Sequence, residues 1–79
     1  MTNLIFVGAL ARQVDSDELA RIFSTEWQVR SSRVVLSEKD GKSRGFGFVE
    51  FDSVATACSA KAAMDGQVIH GKPIFINFS

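Results

Sequence analysis

Lys42 to Phe51, KSRGFGFVEF, is the stretch whose reading decides the fold. With the two-residue alternation of a β-strand, Phe46, Phe48 and Glu50 point to one side of a sheet, and Gly47, Val49 and Phe51 to the other. Both faces therefore carry large apolar groups. Such a strand is either buried on both sides or presents aromatic rings to a ligand, and the number of helices available to cover it decides which.

Working outward, Leu4 to Gly8 (LIFVG) reads as a short strand, with Ile5 and Val7 on one face and Leu4 and Phe6 on the other. Asp15 followed by Glu18 is a capping-box-like helix start, and Leu19, Ile22 and Phe23 form the apolar stripe of a helix running to about Thr25. Trp27 and Val29 lead out of it. Arg33 to Ser37 reads as a second strand, Val34 and Leu36 inward, and Asp40 and Gly41 make the turn into the decisive stretch. Beyond it, Ser53 caps a helix through Met64, in which Ala57, Ala60, Lys61 and Met64 share a face and Lys61 is the odd member. Gly66 ends that helix, Gly71 to Pro73 make a turn, and Ile74, Ile76 and Phe78 alternate with Phe75 and Asn77 in a last strand.

The order βαββαβ, with right-handed crossovers, puts both helices on one side of a four-stranded antiparallel sheet: an α+β two-layer sandwich of the ferredoxin-like kind. The expected core is Ile5, Val7, Val34, Gly47, Val49, Phe51, Ile74, Ile76 and Phe78, with Leu19, Ile22, Phe23 and Met64 from the helices. The other face stays open. It carries Phe6, Phe46, Phe48 and Phe75, with Arg33, Glu50 and Asn77 around them, and four exposed phenylalanines on one surface require a partner.

The 79 residues suffice for one domain, 1–79, with one core. At 46% hydrophobic residues and one proline the chain is of the folded, globular class, and no apolar run approaches the roughly 20 residues of a membrane span. Cys58 is the sole cysteine, which excludes a disulfide framework and a cysteine-rich metal site. No signal, transit or lipidation pattern is seen, so the expectation is an intracellular protein of nucleus or cytoplasm, an organelle being left open, with no membrane association. The net charge is zero but unevenly spread: Asp15, Asp17, Glu18 and Glu26 surround Arg21, whereas Arg30, Arg33, Lys39, Lys42 and Arg44 outnumber Glu38 and Asp40. An acidic helix is followed by a basic loop.

Other chemistries fail on spacing. Gly41, Lys42 and Ser43 resemble the end of a phosphate-binding loop, but its earlier glycine falls at Leu36 and no helix follows. Gly45 and Gly47 resemble the start of a dinucleotide fingerprint whose third glycine falls at Glu50, inside a strand. His70 is the sole histidine, so neither nucleophile–base catalysis nor metal ligation has partners; it reads as a solvated turn residue.

Arg44 to Phe51, RGFGFVEF, matches the octamer of the RNA-recognition motif (RRM) family at every position, and Ile5 to Leu10, IFVGAL, matches its hexamer at five of six. The chain resembles that family nearly end to end. The resemblance implies a non-enzymatic module for single-stranded RNA, working without cofactor in RNA processing or mRNA regulation, with Phe6 and Phe46 or Phe48 stacking on bases and Arg44 holding a phosphate. Arg33, Lys39 and Lys42 are read as further phosphate contacts, and Phe75 and Asn77 as extensions of the surface. Ala9 stands where the hexamer usually has asparagine, and Trp27 and Lys61 also depart from the common pattern. If each stacked base contributes ~1–3 kcal/mol, a dissociation constant on the order of micromolar or weaker follows, so a protein partner or additional RNA-binding domains would supply specificity. The alternative is a protein–protein interaction module on the same fold, with Phe46 and Phe48 buried by the partner.

Overall fold

The computed structural model describes residues 2–79. Strand β1 (Leu4–Gly8) leads through a loop into helix α1 (Ser16–Ser24), whose cap is Asp15: its backbone is extended and its carboxylate accepts from the Glu18 N–H at 2.8 Å. Asp17 and Glu18 in the first turn complement the positive end of the helix dipole. Strands β2 (Val29–Leu36) and β3 (Ser43–Phe51) form a hairpin, closed where Ser37 N–H donates to Lys42 O at 2.7 Å. Helix α2 (Val54–Met64) starts at Ser53, whose hydroxyl accepts from the Thr56 N–H at 3.1 Å. A small hairpin, β4 (Val68–Ile69) and β5 (Lys72–Pro73), precedes the last strand, β6 (Phe75–Phe78).

The four long strands make one antiparallel sheet in the order β2-β3-β1-β6. Leu19 and Phe23 of α1 and Ala57 and Ala60 of α2 join one cluster with Ile5, Val7, Val34, Val49, Phe51, Ile74 and Ile76, so both helices cover the same face. Two close approaches explain small residues here. A Cβ at Gly47 would lie 2.4 Å from Arg33 O and 3.1 Å from a Leu19 methyl, so α1 sits where only a glycine leaves room for it. The alanines of α2 act likewise, trading side-chain volume for closeness to the sheet. Lys61, odd in an apolar stripe, holds its ammonium 5.7 Å from the centre of the Phe78 ring, and Trp27 packs on Phe23 at the core edge.

Both sheet edges find partners besides water. On β2, Ser16 Oγ accepts from the Val34 N–H at 2.8 Å, and Ser32 Oγ donates to Ser16 O at 2.6 Å. On β6, Asp65 Oδ1 accepts from the Ile76 N–H at 2.8 Å, while Gly66 N–H donates to Ile74 O at 2.8 Å. The helix ends thus close the edges that would otherwise invite strand addition.

The structure departs from the sequence reading in four places. Strand β2 begins at Val29 rather than Arg33, and a register shift between Val34 and Leu36 turns Leu36 outward, leaving it 55% exposed instead of inward. The loop after β1 is part of the core: Leu10, Ala11 and Val14 are buried, and Leu10 N–H donates to Gly45 O at 2.8 Å. Residues read as a plain turn near Gly71 form the β4–β5 hairpin, where His70 and Gly71 both have the positive φ of a type I′ turn (52° and 80°). His70 is not merely solvated either, since its Nε2 lies 2.6 Å from Glu18 Oε2 on α1.

Ala9 has φ 59°, a left-handed conformation that costs a residue with a Cβ about 1–2 kcal/mol and that asparagine tolerates better. Ala9→Asn should therefore raise stability by about 1 kcal/mol, moving the Tm up by about 4–8 °C in a domain of this size. An unchanged or lower melting temperature would show that the local backbone is not strained.

Candidate nucleic-acid interface

The face of the sheet away from the helices carries the alternate residues of the same strands. Phe6 of β1 stands directly across from Phe48 of β3 on one side and from Asn77 of β6 on the other. Its ring is the hub of a cluster: centroids lie 5.6 Å from Phe46, 5.8 Å from Phe48 and 5.7 Å from Phe75, with interplanar angles of 37°, 66° and 49°. These tilted and edge-on contacts are the geometry in which ring quadrupoles attract. They hold each ring in place while leaving it partly exposed.

Phe75 is 48% exposed and sits across from Gly8 rather than from Phe6, which it reaches on the diagonal. The ring lies over Gly8, where an added Cβ would come within 2.4 Å of the ring tip. A glycine at position 8 is what allows the fourth ring to lie down on the sheet beside the other three. Any larger residue would push it off.

Charged and polar groups surround the rings unequally. Arg44 shares the face of Phe46 and its guanidinium carbon lies 5.7 Å from that ring's centre. Arg33 is exposed and stands across from Phe48. Lys39 and Lys42 are exposed on the β2–β3 connection, not among the rings. Lys42 lines a separate concavity of about 530 Å³ with Arg12, Asp15 and Leu36. Arg12 escaped the sequence reading because it sits alone in a loop with no periodicity to place it. Glu50 was seen at the edge of the open face but not as part of a site; its carboxylate accepts from Ser31 Oγ at 3.2 Å and from Asn3 Nδ2 at 3.5 Å. Among the described residues no cluster of His, Cys, Asp and Glu could hold a metal ion, and no helix is long and apolar enough to cross a membrane.

An uncovered, partly exposed aromatic surface with cations at its margin suits flat, anionic ligands, and comparison with known proteins points the same way. A family model described as RNA recognition motif matches residues 5–74. The chain is 40% identical over 78 residues to the mitochondrial glycine-rich RNA-binding protein 3 of Arabidopsis thaliana, covering 99% of this chain and 25% of that protein. It is 41% identical over 73 residues to the chloroplastic 28 kDa ribonucleoprotein of Spinacia oleracea, covering 92% of this chain and 31% of that one. The crystal structure of the second RRM domain of yeast poly(U)-binding protein superposes with a TM-score of 0.90 at 35% identity, covering 100% of this chain and 94% of that domain. The chain thus spans about a quarter to a third of the two curated relatives.

Proposed function

This chain belongs to the RNA recognition motif family, and we propose that residues 1–79 act as one non-catalytic domain that binds single-stranded RNA on the open face of its sheet. The observation that carries this reading is the ring cluster: four phenylalanines, joined through Phe6, left uncovered by helices that bury the opposite face. Bases stack on Phe6, Phe46, Phe48 and Phe75, Asn77 offers a polar contact beside Phe6, and Arg33, Arg44, Lys39 and Lys42 take phosphates. The named relatives are RNA-binding and ribonucleoprotein chains, which supports a role in RNA processing or mRNA regulation and adds mitochondria and chloroplasts to the compartments in which an intracellular RNA binder works.

Salt dependence tests the cations. With three or four of them engaged, the logarithm of affinity for a single strand should fall against the logarithm of salt with a slope of roughly −2 to −3. A slope near zero would leave stacking alone and remove the basic residues from the interface. Phe75 tests the fourth ring. Phe75→Ala should cost about 1 kcal/mol or more of RNA affinity with little change in melting temperature, because the ring is half-exposed. A variant that binds RNA like the parent but loses a copurifying protein would assign Phe75 to a protein interface instead.

A further inference from the structure

Beside the ring cluster, the β2–β3 register sets four side chains at the corners of one patch: Arg33 across from Phe48, and Ser31 across from Glu50. Ser32, between the two β2 residues, bonds to Ser16 of α1, so Ser31 and Arg33 face away from the helices. Next to the patch the surface dips into a concavity of about 610 Å³ lined by Phe48, Arg33, Ser31 and Leu4 among others. Glu50 is not a loose surface acid. It is half-buried, one carboxylate oxygen accepts from Ser31 Oγ at 3.2 Å and the other from Asn3 Nδ2 at 3.5 Å, which fixes where its remaining lone pairs point.

A fixed carboxylate beside the path of a polyanion weakens binding by repulsion unless it accepts hydrogen bonds from the ligand. The phosphates have none to give, so the donors come from ribose 2′-hydroxyls or base edges, and a 2′-hydroxyl has a single O–H to offer and no base selectivity. A carboxylate offers two oxygens side by side, and among the bases only guanine presents two adjacent N–H donors, N1–H and N2–H, on one edge. The next atom along that edge, O6, is an acceptor, and Arg33 on the neighbouring strand has only donors. Uracil instead places one N–H between two carbonyls, which would meet the carboxylate lone pair to lone pair. In adenine and cytosine the amino group adjoins an unprotonated ring nitrogen, with the same mismatch.

We infer that this patch is a guanine-selective subsite: a base stacked on Phe48 gives its N1–H and N2–H to Glu50, and Arg33, whose guanidinium has N–H donors to spare beyond a phosphate contact, donates to its O6, with Ser31 holding the carboxylate in register. The inference rests on the RNA-binding reading and adds to it which base is preferred at this position.

Fluorescence titrations of hexamers test it, comparing all-uridine RNA with hexamers that carry one G, A or C in the same background. The parent should bind the G hexamer about tenfold or more tighter than the all-uridine one, the size expected for a paired base contact. In Glu50→Gln that ratio should fall to near one, while affinity for all-uridine RNA holds or rises because a negative charge has left the surface. Ser31→Ala, which keeps the carboxylate but releases it, should lower the ratio partway. A parent that binds all hexamers alike or prefers another base overturns the subsite while leaving RNA binding intact, as does a Glu50→Gln variant that keeps the guanine preference. A parent that binds no hexamer at all overturns the RNA-binding reading and the subsite together.

Discussion

Phe51→Ala should cost about 3–5 kcal/mol of stability and leave much of the protein unfolded near body temperature. Phe51 is the last residue of β3, fully buried, and meets Phe23 of α1 edge-on with centroids 5.9 Å apart. Truncation removes an aromatic side chain from the centre of the core and leaves a cavity between sheet and helix that backbone pairing on both sides prevents from collapsing. So small a domain has little stability to spare. Thermal melts should show a fall of well over 10 °C, at about 4–8 °C per kcal/mol. Yet at low temperature, where the variant still folds, its RNA affinity should match the parent, since the ring faces away from the open side. A stable Phe51→Ala that loses RNA would mean the facing of β3 is shifted by one residue.

The reverse pattern is expected three and five residues earlier on the same strand, on the sheet's other face. Phe48→Ala and Phe46→Ala should each weaken RNA binding by about 1–3 kcal/mol while the fold persists. Phe6→Ala should stand at the upper end of that range. Its ring supports three others, so its loss removes one stacking surface and loosens its neighbours. For the same reason Phe6 and Phe48 should not be additive: rings 5.8 Å apart share partners, and a double-mutant cycle should return a coupling energy on the order of 0.5 kcal/mol or more. Melting curves and RNA titrations of the same preparations separate the two roles. If these variants lose stability as Phe51→Ala does, the rings are core and not platform.

The placement of both sets of rings was legible in KSRGFGFVEF because strand parity is rigid: a side chain two residues along must return to the same face. The same rule assigned Phe6 and Phe75 to the open face, and the caps at Asp15 and Ser53 were readable because a side-chain oxygen before an apolar stripe satisfies amides that the helix cannot. Parity failed where the backbone broke it. Leu36 lies past the register shift in β2, and nothing in VVL announces that shift. Leu10, Ala11 and Val14 lie in a loop, where burial follows the path of the chain and has no period to detect. The β4–β5 hairpin is held by two-residue strands, too short for alternation to register. Contacts between distant segments were hidden for a related reason: Glu50 with Ser31, His70 with Glu18, and Phe75 over Gly8 each depend on exact register between strands or on packing between layers. The departure at Ala9 was visible as a missing asparagine, while its consequence, a left-handed backbone without a residue suited to it, required the structure.

The most direct test of the central claim is amide chemical-shift mapping of the 15N-labelled protein during titration with a short single-stranded RNA. Binding on the open face predicts that the largest shifts fall on β1 and β3 around Phe6, Phe46 and Phe48, spread to Arg33 and Phe75, and leave the outer surfaces of α1 and α2 unmoved. Shifts concentrated on the helices, or none anywhere at RNA concentrations well above micromolar, would contradict it.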